Sequence, residues 1–261
     1  MAATIHPTAI IAPTAVIGDG TVIGPYAIVE DDVVIGKDNI IESHVVLKRY
    51  LTIGDGNHIH SHAVIGDLPQ DTSFDKKKVS RTLVGNGNEF REFVNIHRSK
   101  NENGVTIVGN NNYFMENVHI AHDCIVHDRV VSANNLSCGG HVEIFSDVFI
   151  SACVGVHQFC RIGAYCMLGF GAKVALDIPP YSLADHNPAK VFKLNLVGLR
   201  RKGFKSDDIK AVEAIHDAWY HTTMSKKDFI EFHEKSGTLS EHQKIFVEFL
   251  KASQRGIAGH V

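Results

Sequence analysis

The sequence predicts an all-β solenoid, a parallel β-helix of hexapeptide repeats, followed by a small α-helical C-terminal domain. Three observations carry this. An aliphatic residue recurs every six positions without a miss from Ile5 to Ile65. The same beat resumes one residue out of phase at Val84 and runs to Val174. It ends near Pro179 and Pro180, where helix caps and helical spacing take over.

The first frame is Ile5, Ile11, Ile17, Ile23, Val29, Ile35, Ile41, Leu47, Ile53, Ile59 and Ile65, often followed by Gly, as at Gly18, Gly24, Gly36, Gly54 and Gly66. A period of six fits neither a 3.6-residue helix nor an alternating strand. It suits short strands that each turn one aliphatic inward, with Gly or Asn helping the chain around a corner. Three hexads then make one triangular coil of 18 residues. The break between the frames is polar and charged and contains Pro69. It reads as a loop near residues 67–82 pushed out of a corner. A second excursion near 97–106 keeps phase, because Ile96 and Val108 share the new frame. Long loops on a rigid repeat are a place to look for function.

The β-helix is expected over residues 1–190 and the helical domain over 191–261. In that tail Ser206, Ser225 and Ser240 read as N-caps, the last in a capping box with Gln243. Apolar residues follow at helical spacing: Ile209, Val212, Ile215 and Trp219, then Phe229 and Phe232, then Ile245, Phe246, Phe249 and Leu250. About three helices are expected, covering the end of the solenoid or a neighbouring subunit.

A net charge of −3 argues against a general nucleic-acid binder. With no signal peptide and no apolar run of spanning length, the expectation is a soluble, cytoplasmic protein without a transmembrane segment. The five cysteines (Cys124, Cys138, Cys153, Cys160 and Cys166) contain no CxxC pair and read as small buried thiols, not as a disulfide or metal framework.

The 17 histidines divide into two groups. His58, His60 and His62 read as an exposed polar edge. His122, His141 and His157 fall within one residue of a common vertical line when the chain is wound at 18 residues per coil, with His119 across the same corner. Successive coils should lie about 4.8 Å apart, so the imidazoles stack. One chemistry is zinc binding: the five-residue spacing of His122 and His127 resembles the γ-class carbonic anhydrases, but Asn86 stands where their third histidine is needed. The other is acid–base catalysis with polar recognition of a sugar and no metal. An exposed ladder of corner histidines is the plain structural alternative.

Residues 115–124, Met-Glu-Asn-Val-His-Ile-Ala-His-Asp-Cys, closely resemble the UDP-N-acetylglucosamine acyltransferases that start lipid A synthesis. The resemblance continues through Gly139-Gly-His-Val, Val156-His-Gln-Phe-Cys, Asp177-Ile-Pro-Pro-Tyr and Asn195-Leu-Val-Gly-Leu-Arg-Arg-Lys-Gly-Phe, and includes Gln70 and Asp71. It implies a left-handed β-helix, against the usual right-handed crossover, and a homotrimer with active sites between subunits. It implies transfer of a 3-hydroxyacyl chain from acyl carrier protein to the 3-position of the UDP-sugar, with no cofactor. His122 would be the general base, and the backbone N–H of Gly140 would face the thioester oxyanion. Asp71, His119, His141, His157 and Gln158 would bind the sugar. Asn195, Arg201 and Lys202 would serve the nucleotide end, where cations suit a diphosphate. Arg200 to Lys202 and Lys76 to Lys78 are candidate docking surface for the acidic carrier, although a lysine run is commonly a solvated loop.

Four positions depart from the family's pattern. Lys202 replaces an Arg, keeping the charge and losing the bidentate fork. Val197 replaces a Glu at the uridine end, and Ser73 replaces a Lys two residues after Asp71. Phe170 replaces a Gly at the acyl-chain ruler, which predicts a donor shorter than fourteen carbons unless Phe170 turns into the core. The acceptor atom is left open between a 3-hydroxyl and a 3-amino group. The competing classes are the zinc hydratase, the glucosamine N-acyltransferase of the same pathway (which carries an extra N-terminal domain) and a non-catalytic sugar-nucleotide-binding solenoid.

Overall fold

The computed structural model describes residues 1–237 and 239–261. Among them, the strands form three parallel sheets of eleven, nine and eight members, one for each side of a triangular coil. The first sheet starts at Thr4–Ile5, the second at Ile10–Ile11 and the third at Val16–Ile17, after which the cycle repeats. Most strands are two residues long, the first outward and the second in the core, as in Val22–Ile23. Ile41 accordingly sits between Ile23 and Ile59 in adjacent coils. Every aliphatic of both frames from Ile23 to Val174 is buried. Ile5 is 44% exposed because nothing stacks beneath the first coil.

Both loops leave the same corner, between the second and third sheets. They span the gap from strand Val64–Asp67 to strand Arg81–Val84, and from Asn95–His97 to Val105–Val108. Ile65 pairs with Ile96 and Ile96 with Ile120, steps of 31 and 24 residues where a plain coil takes 18. The first insertion is one residue more than two hexads, and that extra residue is the phase slip seen in the sequence.

The corners turn differently from the expectation. Their left-handed residues are mostly not glycine: Tyr26, His44 and Asn117, for example, have φ of 59°, 59° and 60°. Gly36 serves another purpose. A Cβ there would stand 2.6 Å from the carbonyl oxygen of Gly54 in the next coil, so it allows close stacking and not a positive φ. Beside it a buried ladder of Asn39, Asn57, Asn88 and Asn112 bonds side chain to side chain from coil to coil at 2.9–3.0 Å. This ladder satisfies backbone groups that the corner takes out of water.

A hairpin of Ser182–Asp185 and Lys190–Leu194 ends the first sheet antiparallel. Four helices follow among the described residues: α1 (Leu196–Arg201), α2 (Ser206–His221), α3 (Lys226–Ser236) and α4 (Glu241–Ala252). They have a core of their own, including Leu199, Val212, Ile215, Phe229, Phe246 and Leu250, over Tyr181. Ser225 caps α3, and Ser240 with Gln243 makes the expected capping box on α4. Ser206 does not cap. It is the first residue of α2, and the Asp208 carboxylate takes the Lys205 N–H instead. The short α1 was missed because six residues give no helical period. Phe232 and Ile245, which keep the helical spacing, face outward at 57% and 43% exposure.

Other expectations also change. Cys153 is exposed at a left-handed corner position, whereas the other four cysteines are buried. Of the expected exposed edge, His62 is exposed and His58 partly so, but His60 is largely covered. The His60 side chain is only 12% exposed and lies between Glu42 and Glu89.

His216, in α2, is 3% exposed, and burial pushes it down to about 4. The unfolded chain takes up that proton near pH 6.5 while the folded chain stays neutral to about pH 4. Its contribution is therefore complete above pH 6.5 and is lost as pH falls toward 4, amounting to about 2–3 kcal/mol. His216→Phe should flatten the stability curve over that interval, measured by urea unfolding between pH 7 and pH 4.

Candidate active site

The corner that carries both loops also carries the histidine column. Residues 121–124, 139–142 and 157–160 stack there, shown by bonds from His141 N–H to the His122 carbonyl and from Phe159 N–H to the Gly140 carbonyl, each 3.0 Å. His122 therefore lies over Gly140, and Asp123 over His141 over Phe159. The rings of His122 and His141 meet edge to face at 5.4 Å, and His141 stacks on Phe159 at 4.6 Å.

Asp123, which sequence reasoning quoted only as part of a motif, organises this corner. Its carboxylate lies 2.8 Å from His122 Nδ1 and 3.8 Å from His141 Nε2. The second loop grips it from the other side. The Ser99 hydroxyl, the Lys100 N–H and the Asn101 side-chain amide all donate to it. Burial alone would raise this carboxyl, but those donors and His122 outweigh it and hold it below its ordinary value. An ionised Asp123 accepts a hydrogen bond from the Nδ1–H of His122, which leaves a lone pair on Nε2.

Three neighbouring histidines are kept neutral more strongly than usual. Burial lowers His141, partly countered by Asp123, and burial with the field of His122 lowers His119. His119 Nδ1 is 3.0 Å from Asn95 Oδ1. His97, whose ring meets that of His119 at 5.0 Å, is pushed down to about 4 by burial.

The loops lock to each other as well. Asp71 binds Lys100 Nζ at 2.6 Å and accepts from the Ser73 N–H and hydroxyl at 2.8 and 2.6 Å. Lys100 thus supplies a cation beside Asp71 where Ser73 carries none. No period marks a loop lysine, so sequence reasoning missed it. His157 is exposed, with Nδ1 3.1 Å from the Gln158 carbonyl. A cleft of about 660 Å³ runs from Asp123, His141 and Phe159 past Arg161 to Arg255, near the end of the chain.

The remaining candidates lie elsewhere on the chain. Asn195 caps α1, its Oδ1 taking the Gly198 N–H and its Nδ2 donating to the Tyr165 carbonyl. With Val197, Arg201 and Lys202 it lines a second cavity, of about 340 Å³, against the first sheet. Lys202 there binds Asp147 at 2.6 Å. Phe170 lies on the corner between the first and second sheets and is 72% exposed, so it does not turn into the core. His127 is also apart from His122: it pairs with Glu143 at 3.1 Å and stacks on Phe145.

Gly140 is required by its neighbour. A Cβ there would lie 2.5 Å from His122 Cε1 and 2.8 Å from Nε2. Gly140→Ala should push the imidazole off Asp123 at a cost of about 1–3 kcal/mol. The checks are loss of the hydrogen-bonded Nδ1 proton signal in NMR and a lowered unfolding midpoint.

Comparison with known proteins identifies the family. Residues 177–258 match the family described as UDP-N-acetylglucosamine O-acyltransferase, domain 2, and residues 14–49 match the bacterial transferase hexapeptide. The acyl-[acyl-carrier-protein]–UDP-N-acetylglucosamine O-acyltransferase of Leptothrix cholodnii is 40% identical, over 98% of this chain and 99% of its own. That of Burkholderia orbicola is 42% identical over 97% and 98%. The solved UDP-N-acetylglucosamine acyltransferase of Francisella novicida superposes with a TM-score of 0.95 at 33% identity, covering 99% of this chain and 94% of its own. The Bacteroides fragilis enzyme gives 0.92 at 36%, covering 97% and 98%. The chain belongs to the UDP-N-acetylglucosamine O-acyltransferases, and is an acyltransferase with their left-handed β-helix and helical C-terminal domain.

Proposed function

We propose that the chain moves a 3-hydroxyacyl group from acyl carrier protein to the 3-position of UDP-N-acetylglucosamine, the first step of lipid A synthesis. The names of its relatives support the reaction. The observation that carries the mechanism is the hydrogen bond from His122 Nδ1 to Asp123, with Gly140 directly beneath the ring. His122 Nε2 takes the proton from the sugar's 3-hydroxyl as its oxygen attacks the thioester carbonyl. Asp123 steadies the imidazolium that forms, and the Gly140 N–H faces the developing oxyanion. Collapse expels the carrier thiolate, which takes the proton back from His122. The products are the sugar ester and the free carrier thiol.

His119, His141, His157, Gln158 and Asp71 share the His122 corner and would hold the sugar. Asn195, Arg201, Lys202 and Phe170 lie on other sides of the same chain. A homotrimer accounts for this separation, since a neighbouring copy would bring its own nucleotide-end residues and ruler to each His122. With Phe170 projecting from its corner, the acyl groove is shortened, and the preferred donor carries about ten to twelve carbons.

The test is transfer by purified protein from 3-hydroxyacyl carriers of graded length to both the 3-hydroxyl and the 3-amino UDP-sugar. His122→Ala should lower the rate by about 10²–10⁴-fold with the fold intact. Phe170→Gly should move the optimum to longer chains. No transfer with any pair would overturn the enzymatic reading, and an unchanged optimum would remove Phe170 as the ruler.

A further inference from the structure

A second histidine cluster lies away from the acyl-transfer corner, where the first sheet turns into the second, and three adjacent coils contribute to it. Glu42 comes from one coil, His58 and His60 from the next, and Glu89 and Glu92 from the third. Glu42 Oε1 lies 2.9 Å from His58 Nε2 and 3.2 Å from His60 Nδ1. The two imidazoles are stacked 3.9 Å apart. The other oxygen of Glu42 is fixed by the Ser61 N–H at 3.1 Å and the Ser61 hydroxyl at 3.0 Å. On its far side His60 Nε2 lies 3.2 Å from Glu89 Oε1. Glu92 stands 4.0 Å from His60 Nδ1 and is itself paired with Arg91 at 3.1 Å.

Proton accounting makes this cluster unusual. A neutral imidazole carries one N–H and one lone pair. His60 has a carboxylate oxygen 3.2 Å from each nitrogen, so a ring whose Nε2–H donates to Glu89 turns its Nδ1 lone pair toward Glu42 and His58, where a cation would be held. One donor atom from each of Glu42, His58 and His60 lies within 4.8 Å of the other two, close enough to share an ion once the rings turn their lone pairs toward it. With bonds of 2.0–2.1 Å, a tetrahedral zinc site places its donors roughly 3.3 Å apart, against 2.9 and 3.2 Å here. In that arrangement both imidazoles stay neutral, and His60 Nε2–H donates to Glu89. A carboxylate behind a metal-bound histidine is the recurring second layer of such sites. Ser61 orients the ligand carboxylate in the same way.

We propose that Glu42, His58 and His60 form a binding site for a divalent transition-metal ion of the zinc class, backed by Glu89 and Ser61 and clamping adjacent coils together. Two imidazoles and one carboxylate select zinc, cobalt or nickel over magnesium or calcium, which need oxygen donors throughout. Three protein ligands leave a fourth position for water. The site shares no residue with the acyl-transfer corner and stands independently of the function proposed above.

The experiment uses full-length protein stripped with EDTA and titrated at pH 7.5 with zinc by calorimetry and with cobalt by visible absorption. Wild type should bind about one ion per chain, with the cobalt band of a four-coordinate site. Glu42→Gln and His58→Ala, both at partly exposed positions, should lose at least tenfold in affinity. Glu89→Gln should weaken binding by about 10–100-fold, and His122→Ala should leave it unchanged. Zinc should also raise the unfolding midpoint of wild type but not of Glu42→Gln. Binding that survives Glu42→Gln and His58→Ala but disappears in His122→Ala would place the ion on His122, Asp123 and His141, and overturn the proposal. So would equal affinity for magnesium, or no uptake of zinc or cobalt.

Discussion

The parallel register between coils governs every other feature of this molecule. Each coil donates N–H groups to the carbonyls of the next, as from Ile40 to Asn57 and from His119 to Leu136, both 2.8 Å. These bonds tie residues 18 apart into fixed vertical columns. Inside, the columns are aliphatic and form one continuous core. At one corner the column is a ladder of buried asparagines. A chain held this way has no freedom to slide, because a one-residue slip would turn each inward aliphatic to solvent. Between the two frames the chain slips once, at the first loop, where the insertion absorbs the extra residue and lets the second frame begin.

Register also makes chemistry from residues that are distant in sequence. His122 rests over Gly140 because their corners stack, and Gly140 matters because a Cβ would occupy the position of the imidazole. The two insertions then supply what a bare corner lacks. Ser99, Lys100 and Asn101 hold Asp123 ionised, and Lys100 reaches across to Asp71. The rigid coils thus fix the imidazole's height, and the loops set the electrostatics around it. The same vertical logic gathers Glu42, His58 and His60 on another corner, where three coils place two carboxylates around one imidazole.

The solenoid was legible because its period is carried by side chains that must be buried, and burial leaves a trace at every sixth residue. The loops were legible as interruptions of that trace. Their internal contacts were not, since Ser99 and Lys100 act through hydrogen bonds that follow no period. His60 departs from the expected exposed edge for a related reason: carboxylates in the coils on either side cover it. In the tail, two of three caps were found where a serine hydroxyl meets its helix. Ser206 does not cap because α2 begins one residue earlier than expected, with Lys205 at the N-cap position.

The sequence by itself determined the winding, the positions of the two insertions and the alignment of His122, Gly140 and His141, because these follow from one repeat length, and the helical tail, because caps and helical spacing replace that repeat. Tertiary structure decided what each aligned residue can do. It placed Asp123 against His122, turned Phe170 outward, and put Asn195 and Lys202 in a cavity on a different side of the chain. Those outcomes depend on side-chain direction and on neighbours brought in by loops and helices. A repeat length fixes which residues share a column, but not which donor or acceptor each will meet in space.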